Sequence, residues 1–319
     1  MLIEKVHTEY REYRIPGLIL TARGTLVGYY ECRDSTSDWA RIDLKIIRST
    51  DRGESWETVM VIPGQGHTLN NPVMIVDGET IHFLYCRDYR ELWYRRSTDD
   101  GQTFTAPRDL SHVFAKHGFY NAAAVGPGHG IVTPRGDLVC AAWFSENHDD
   151  PLAHRPTKLR TVYSTDGGES WQLGGVIGRH DLQDPNESAL ALLPDGRVLI
   201  SIRHRDRVRK SRIFGYSETG RGDWYSVAHR TDLPDPMCMG SMTQVSDGTM
   251  FHINCASRKK RTDLTLRVSG DGFQTYTDYL IDERAGYSDV AADPDRRVAY
   301  VLYERDVDDD GLYFTMVDF

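Results

Sequence analysis

Leu190-Ala-Leu-Leu-Pro-Asp195-Gly196-Arg-Val-Leu-Ile-Ser-Ile202 consists of two short apolar runs meeting at an Asp-Gly pair. Gly tolerates the positive φ of a tight turn, and branched apolar residues suit a pleated surface, so the stretch reads as a β-hairpin. The same signal recurs at Arg23-Gly24, Asp77-Gly78, Arg135-Gly136, Asp247-Gly248 and Asp295-Arg296, at intervals of 54, 58, 60, 52 and 48 residues. A nearly all-strand repeat of roughly 40 to 60 residues predicts a β-propeller, one four-stranded sheet per repeat. The fold expected is therefore all-β: six four-stranded antiparallel blades forming one domain over residues 1–319.

A second mark follows most hairpins. It reads Ser49-Thr-Asp51-Arg-Gly53-Glu-Ser-Trp56, Ser97-Thr-Asp99-Asp-Gly101-Gln-Thr-Phe104 and Ser164-Thr-Asp166-Gly-Gly168-Glu-Ser-Trp171, with weaker copies from Ser217 to Trp224 and from Ser269 to Tyr276. Ser and Asp can bond nearby amides, Gly supplies the turn, and the aromatic can pack between sheets, so these boxes read as structural. After the sixth hairpin only 23 residues remain, too few for a complete blade. The segment Met1 to Thr8 is expected to supply the missing outer strand and close the ring.

Composition narrows the function. The chain is 39% hydrophobic and 27% charged, ordinary for a globular protein. A net charge of −9 argues against nucleic acid and anionic membrane as partners. Neither a signal peptide nor an 18-residue apolar run is present, which predicts a cytoplasmic protein, or a secreted one if a leader has been removed. Cys32, Cys86, Cys140, Cys238 and Cys255 lack CxxC spacing and are expected to be reduced and mostly buried; no metal or cofactor is expected.

In a closed ring, equivalent positions of different blades converge, so offsets from the turns locate a site. Arg14 lies 10 residues before Gly24, Glu187 lies 9 before Gly196, and Tyr287 lies 9 before Arg296. On the returning strands Arg33, Arg87, Arg203 and Glu304 fall 7 to 9 residues past their turns, with Asp38 and Arg261 just beyond. Several arginine forks define an anionic group on a ligand. A tyrosine activated by a carboxylate is a nucleophile that such an anion does not repel, and a further carboxylic acid can protonate a leaving oxygen.

Tyr13-Arg14-Ile15-Pro16 resembles the motif that opens the catalytic propeller of sialidases, and the Ser-x-Asp-x-Gly-x-x-Trp boxes resemble that family's Asp-box (BNR) repeats. The resemblance continues in order through Gly126-Pro-Gly-His-Gly-Ile131, Asn186-Glu187-Ser188-Ala189-Leu190, Leu233-Pro-Asp-Pro-Met-Cys-Met-Gly-Ser241, Arg261-Thr-Asp-Leu-Thr-Leu266, Gly286-Tyr287-Ser288-Asp289 and Leu302-Tyr303-Glu304. It implies an exo-α-sialidase acting with retention through a tyrosyl-enzyme intermediate on sialylated glycans or free sialosides. Arg14, Arg203 and Arg261 would grip the substrate carboxylate, Tyr287 would be the nucleophile, Glu187 its base, and Glu304 the partner of Arg14. Asp38 would be the acid/base, with Asp34 and Asp43 as rivals, and Arg33 would contact sugar hydroxyls.

Two alternatives share these residues: a hydrolase of a related 2-keto sugar acid such as deaminated sialic acid, and a noncatalytic propeller binding acidic glycans. The second needs no joint use of Tyr287, Glu187 and Asp38. Trp39, Tyr89, Trp93, Tyr120 and Trp143 are candidates for the specificity pocket. Arg87 has no motif behind it and is equally well a solvated edge residue. The run Asp306-Val-Asp308-Asp309-Asp310-Gly311 lacks the terminal glutamate of a calcium loop and reads as a hairpin turn. Gly126-Pro-Gly-His-Gly130 lacks the Lys-Ser/Thr of a phosphate loop and reads as a tight turn at the channel rim.

Overall fold

The structure, a computed structural model, describes residues 1–178, 182–305 and 310–319. The acidic run at 306–311 therefore lies largely outside the described residues.

Six sheets form the ring, each built around one of the six hairpins. Their inner strands are Glu12–Leu20, Leu69–Asp77, Ala122–Val125 continued by Ile131–Val132, Ser188–Leu192, Ser241–Gln244 and Ser288–Asp293, which define blades 1 to 6. Second strands such as Leu26–Arg33 and Leu138–Ser145 are buried along their whole length because a neighbouring blade covers each face. They accordingly read as continuous runs, whereas outer strands such as Thr277–Arg284 are largely exposed. Blade 6 is completed by Leu2–Lys5, antiparallel to Gly311–Asp318. Glu4 of this strap also accepts from Tyr30 at 2.6 Å and Lys45 at 2.7 Å, tying blade 6 to blade 1.

The Asp boxes act as seams. In blade 2 the Ser97 hydroxyl donates to Asp99 and accepts from the Gly101 amide, while the adjacent Asp100 accepts from Thr21 and Thr25 at 2.6 Å each, clamping the hairpin of blade 1. The box aromatics bridge sheets: Trp56 meets Phe314, and Trp171 meets Tyr94 and His82.

Four blades have the expected four strands, but blades 2 and 3 have five. The cause is the glycine-rich stretch at 126–130, which is not the tight rim turn expected. It interrupts the inner strand of blade 3, and Gly128–His129 pair parallel with the inner strand of blade 2. Gly128 sits at φ 104°, open only to glycine, and its carbonyl accepts from Tyr29. His129 reaches Asp289 of blade 6 at 2.8 Å. Asp289 also accepts from Ser241 of blade 5 and from the Leu18 amide of blade 1. This cross-tie narrows the central channel: a cavity of about 300 Å³ lined by inner strands such as Leu18, Val132 and Ala291 lies on one side of it.

Candidate active site

Tyr287 opens the inner strand of blade 6 behind Gly286. A Cβ on Gly286 would lie 2.4 Å from a Glu304 carboxylate oxygen, so only glycine lets that carboxylate reach the backbone. Glu304, fully buried, accepts the Tyr287 amide at 3.0 Å, the Ile15 amide at 2.9 Å and Arg14 Nε at 3.1 Å. One carboxylate thus fixes the chain on both sides of the ring closure. Ile15 is held at φ 56°, where a β-branched residue is strained by roughly 1–3 kcal/mol, at a bulge in blade 1 beside Arg14.

The Tyr287 hydroxyl donates to the Glu187 carboxylate, whose oxygens lie 2.7 and 2.8 Å away, and receives Arg203 Nη1 at 2.5 Å. Arg203 is also ion-paired with Glu187. The guanidinium carbons of Arg261, Arg14 and Arg203 stand 5.1, 5.2 and 5.7 Å from the centre of the Tyr287 ring. Burial alone would lower the pKa of Arg14, but Glu304, with a smaller contribution from Tyr287, offsets it and the net direction is upward, holding the guanidinium charged. Three cations from blades 1, 4 and 5 facing two carboxylates leave a positive excess around the phenol, a site for a ligand carboxylate.

The same pocket, about 140 Å³, is lined by Arg33, Asp38, Tyr89, Trp143, His154 and Arg205. Arg33 is locked by Glu31 at 2.5 and 2.8 Å, and its Nη1 donates to Asp38 at 2.8 Å. Burial would raise the pKa of Asp38; Arg33, with smaller help from His154 and Arg14, prevails and holds it below the ordinary value. Its side chain is still 47% exposed, open to an incoming group. Among the described residues no cluster of His, Cys, Asp and Glu is arranged to hold a metal ion.

The model of the BNR repeat-like domain matches residues 57–300, most of the chain. The chain belongs to the BNR repeat-like domain family. Relatives of this BNR-repeat chain include a sialidase of Bacteroides fragilis, 26% identical, aligned over 92% of this chain and 60% of its own length. An exo-alpha-sialidase of Arthroderma benhamiae is 28% identical over 82% of this chain and 68% of its own. Among solved structures, the Hadza microbial sialidase Hz136 superposes with a TM-score of 0.83 at 25% identity, covering 97% of this chain and 66% of that one. The BNR-repeat chain thus spans about two thirds or less of the Bacteroides and Hadza proteins.

The BNR propeller brings Arg14, Arg33, Asp38, Glu187, Arg203, Arg261 and Tyr287 to one pocket, with Glu304 behind Arg14. The rivals of Asp38 lie elsewhere: Asp34 pairs with Arg41, and Asp43 accepts from Tyr10 and the Gly64 amide. Arg87 stays outside, pairing with Glu91 at 2.6 Å and stacking on Trp93. Of the five aromatic candidates, Tyr89 and Trp143 line the pocket and Trp39 borders it, whereas Tyr120 packs on Phe144.

Sequence reasoning missed Glu31, His154 and Arg205. Glu31 stands two residues before Arg33 on one strand, the spacing that puts strand neighbours on one face, whereas Arg205 lies two residues after Arg203 in the loop beyond the strand that ends at Ile202. His154 had no such signal. It arrives on a loop pinned by Asn121, which donates to the Ala153 carbonyl at 2.6 Å, and it lies among Tyr89, Trp143 and Trp39 with Nδ1 3.9 Å from Asp38.

Proposed function

We propose that this propeller is a retaining exo-α-sialidase. The observation that carries the reading is the Tyr287 hydroxyl, donated to Glu187 at 2.7 Å amid three arginines that leave room for a carboxylate. In the first step Glu187 takes the phenolic proton as the Tyr287 oxygen attacks the anomeric carbon. Asp38 delivers a proton to the departing glycosidic oxygen as its bond to carbon breaks. In the second step water attacks the same carbon, Asp38 takes a proton from it, and the Tyr287 oxygen leaves and recovers its proton from Glu187. Two displacements at one carbon give retention. A neutral nucleophile deprotonated only as it attacks suits a carbon bearing a carboxylate.

Proton NMR of a sialoside digest is expected to show the α anomer of the free sugar first. Tyr287→Phe is expected to lose cleavage on the order of 10³-fold. A β anomer formed first, or undiminished turnover by Tyr287→Phe, would overturn the mechanism. Mass identification of the sugar released from a panel including deaminated sialosides distinguishes the two sugar-acid substrates.

A further inference from the structure

Beside Asp38 the pocket opens into a second cavity of about 470 Å³, bounded by Trp39, Leu152, His154, Arg155 and Arg205. Because Asp38, His154 and Arg205 line both spaces, this cavity continues from the acid/base rather than from the arginine triad. Its wall is held in place: Asn121 donates to the carbonyls of Asp150 and Ala153, and Trp39 Nε1 donates to the Leu152 carbonyl at 3.1 Å.

Among the described residues, two cations face it without a paired anion. Neither Arg155 nor Arg205 has a side-chain ion pair or hydrogen bond among the described residues, and Arg205 Nε is buried and unpartnered. Burial, then the charges of Arg203 and Arg155, depress the pKa of Arg205 against a smaller opposing pull from Tyr287 and Asp184, and Asp184 is itself engaged by the Thr157 amide. The acids on the wall do not answer it. Asp38 is engaged by Arg33, and Asp150 turns back to accept the Leu152 amide at 2.9 Å. In a chain of net charge −9, an arginine couple unpaired among the described residues, next to the acid/base, is a local reversal of sign.

Resting on the sialidase reading, we infer that this cavity is the leaving-group subsite and that Arg155 and Arg205 select a leaving group carrying its own anion, a carboxylate or sulfate ester on the adjoining sugar. Trp39 offers the sugar an apolar face, and the two guanidinium groups bind its charge by paired hydrogen bonds.

The test compares kcat/KM of the full chain on α2,3-sialyllactose, its 6-sulfated form and an α2,8-linked disialyl lactose, the last two separating sulfate from carboxylate. At least one substrate with an anionic leaving group is expected to be preferred about tenfold at low salt over sialyllactose, whose leaving group is neutral, with the preference shrinking as ionic strength rises. In the double variant Arg155→Gln/Arg205→Gln that ratio is expected to fall to near one. Equal turnover of all three by the wild type, or a ratio unchanged in the variant, would overturn the inference. A wild type that cleaves none of them defeats the hydrolase reading instead. Calorimetric binding of the same three sugars to Tyr287→Phe then decides the subsite on its own, equal affinities counting against it.

Discussion

Glu304 and Arg33 are the two buried groups on which the chemistry of single residues turns. Glu304 satisfies two backbone amides and Arg14 at once, so Glu304→Gln leaves a buried guanidinium without its counter-charge and replaces one acceptor oxygen by a donor. Breaking such a pair costs about 3 kcal/mol, and denaturant unfolding of the variant is expected to show that loss together with weakened turnover. Arg33 depresses the pKa of Asp38 against the upward push of burial. Replacing it by Gln lets that pKa rise, so Asp38 keeps its proton to higher pH and the alkaline limb of kcat/KM moves upward. A pH profile of Arg33→Gln lying at or below that of the wild type would contradict this. The residues that could be read from the sequence are those at a nearly constant distance from a turn: Arg14, Glu187 and Tyr287 lie 9 or 10 residues before theirs because their blades are equivalent. His154 was illegible because three carbonyls of its loop bond to Asn121, and that path has no period.

At the scale of elements, the strap Leu2–Lys5 covers the last strand's edge, and through Glu4 it bonds blade 1. Removing residues 1–5 exposes an unpaired strand edge and strips partners from Tyr30 and Lys45. Thermal unfolding is expected to drop by roughly 5 °C or more, with concentration-dependent aggregation; an unchanged midpoint would mean that the strap is dispensable. The strap was legible because the sixth repeat ran out of chain before its blade was complete. The glycine-rich stretch at 126–130 was not legible in the same way. Glycines announce an unusual backbone but do not say where it goes, and here it leaves its own blade to add a parallel strand to its neighbour.

For the whole molecule, Asp289 of blade 6 is the point where blade 1, blade 5 and the strand that blade 3 lends to blade 2 meet. Burial would lower the pKa of His129, but Asp289 raises it above the ordinary 6.5. The folded protein therefore binds this proton more tightly than the unfolded chain. The stabilisation is full below about pH 6.5 and is lost as pH rises through the folded value. Melting temperature is expected to decline over that window in the wild type and to be flatter there in His129→Asn. The repeat made the ring readable, but not this tie, since its members come from unequal positions in four blades. Ring closure also bears on how the protein is made. Arg14 and Glu304 are 290 residues apart in sequence, and the phenol between them belongs to the last blade. A nascent chain can stack five blades and still possess no site, because the two halves of the arginine cradle wait for the final strands to leave the ribosome. Synthesis that stops before blade 6 is therefore expected to leave Arg14 without Glu304 and the pocket without Tyr287.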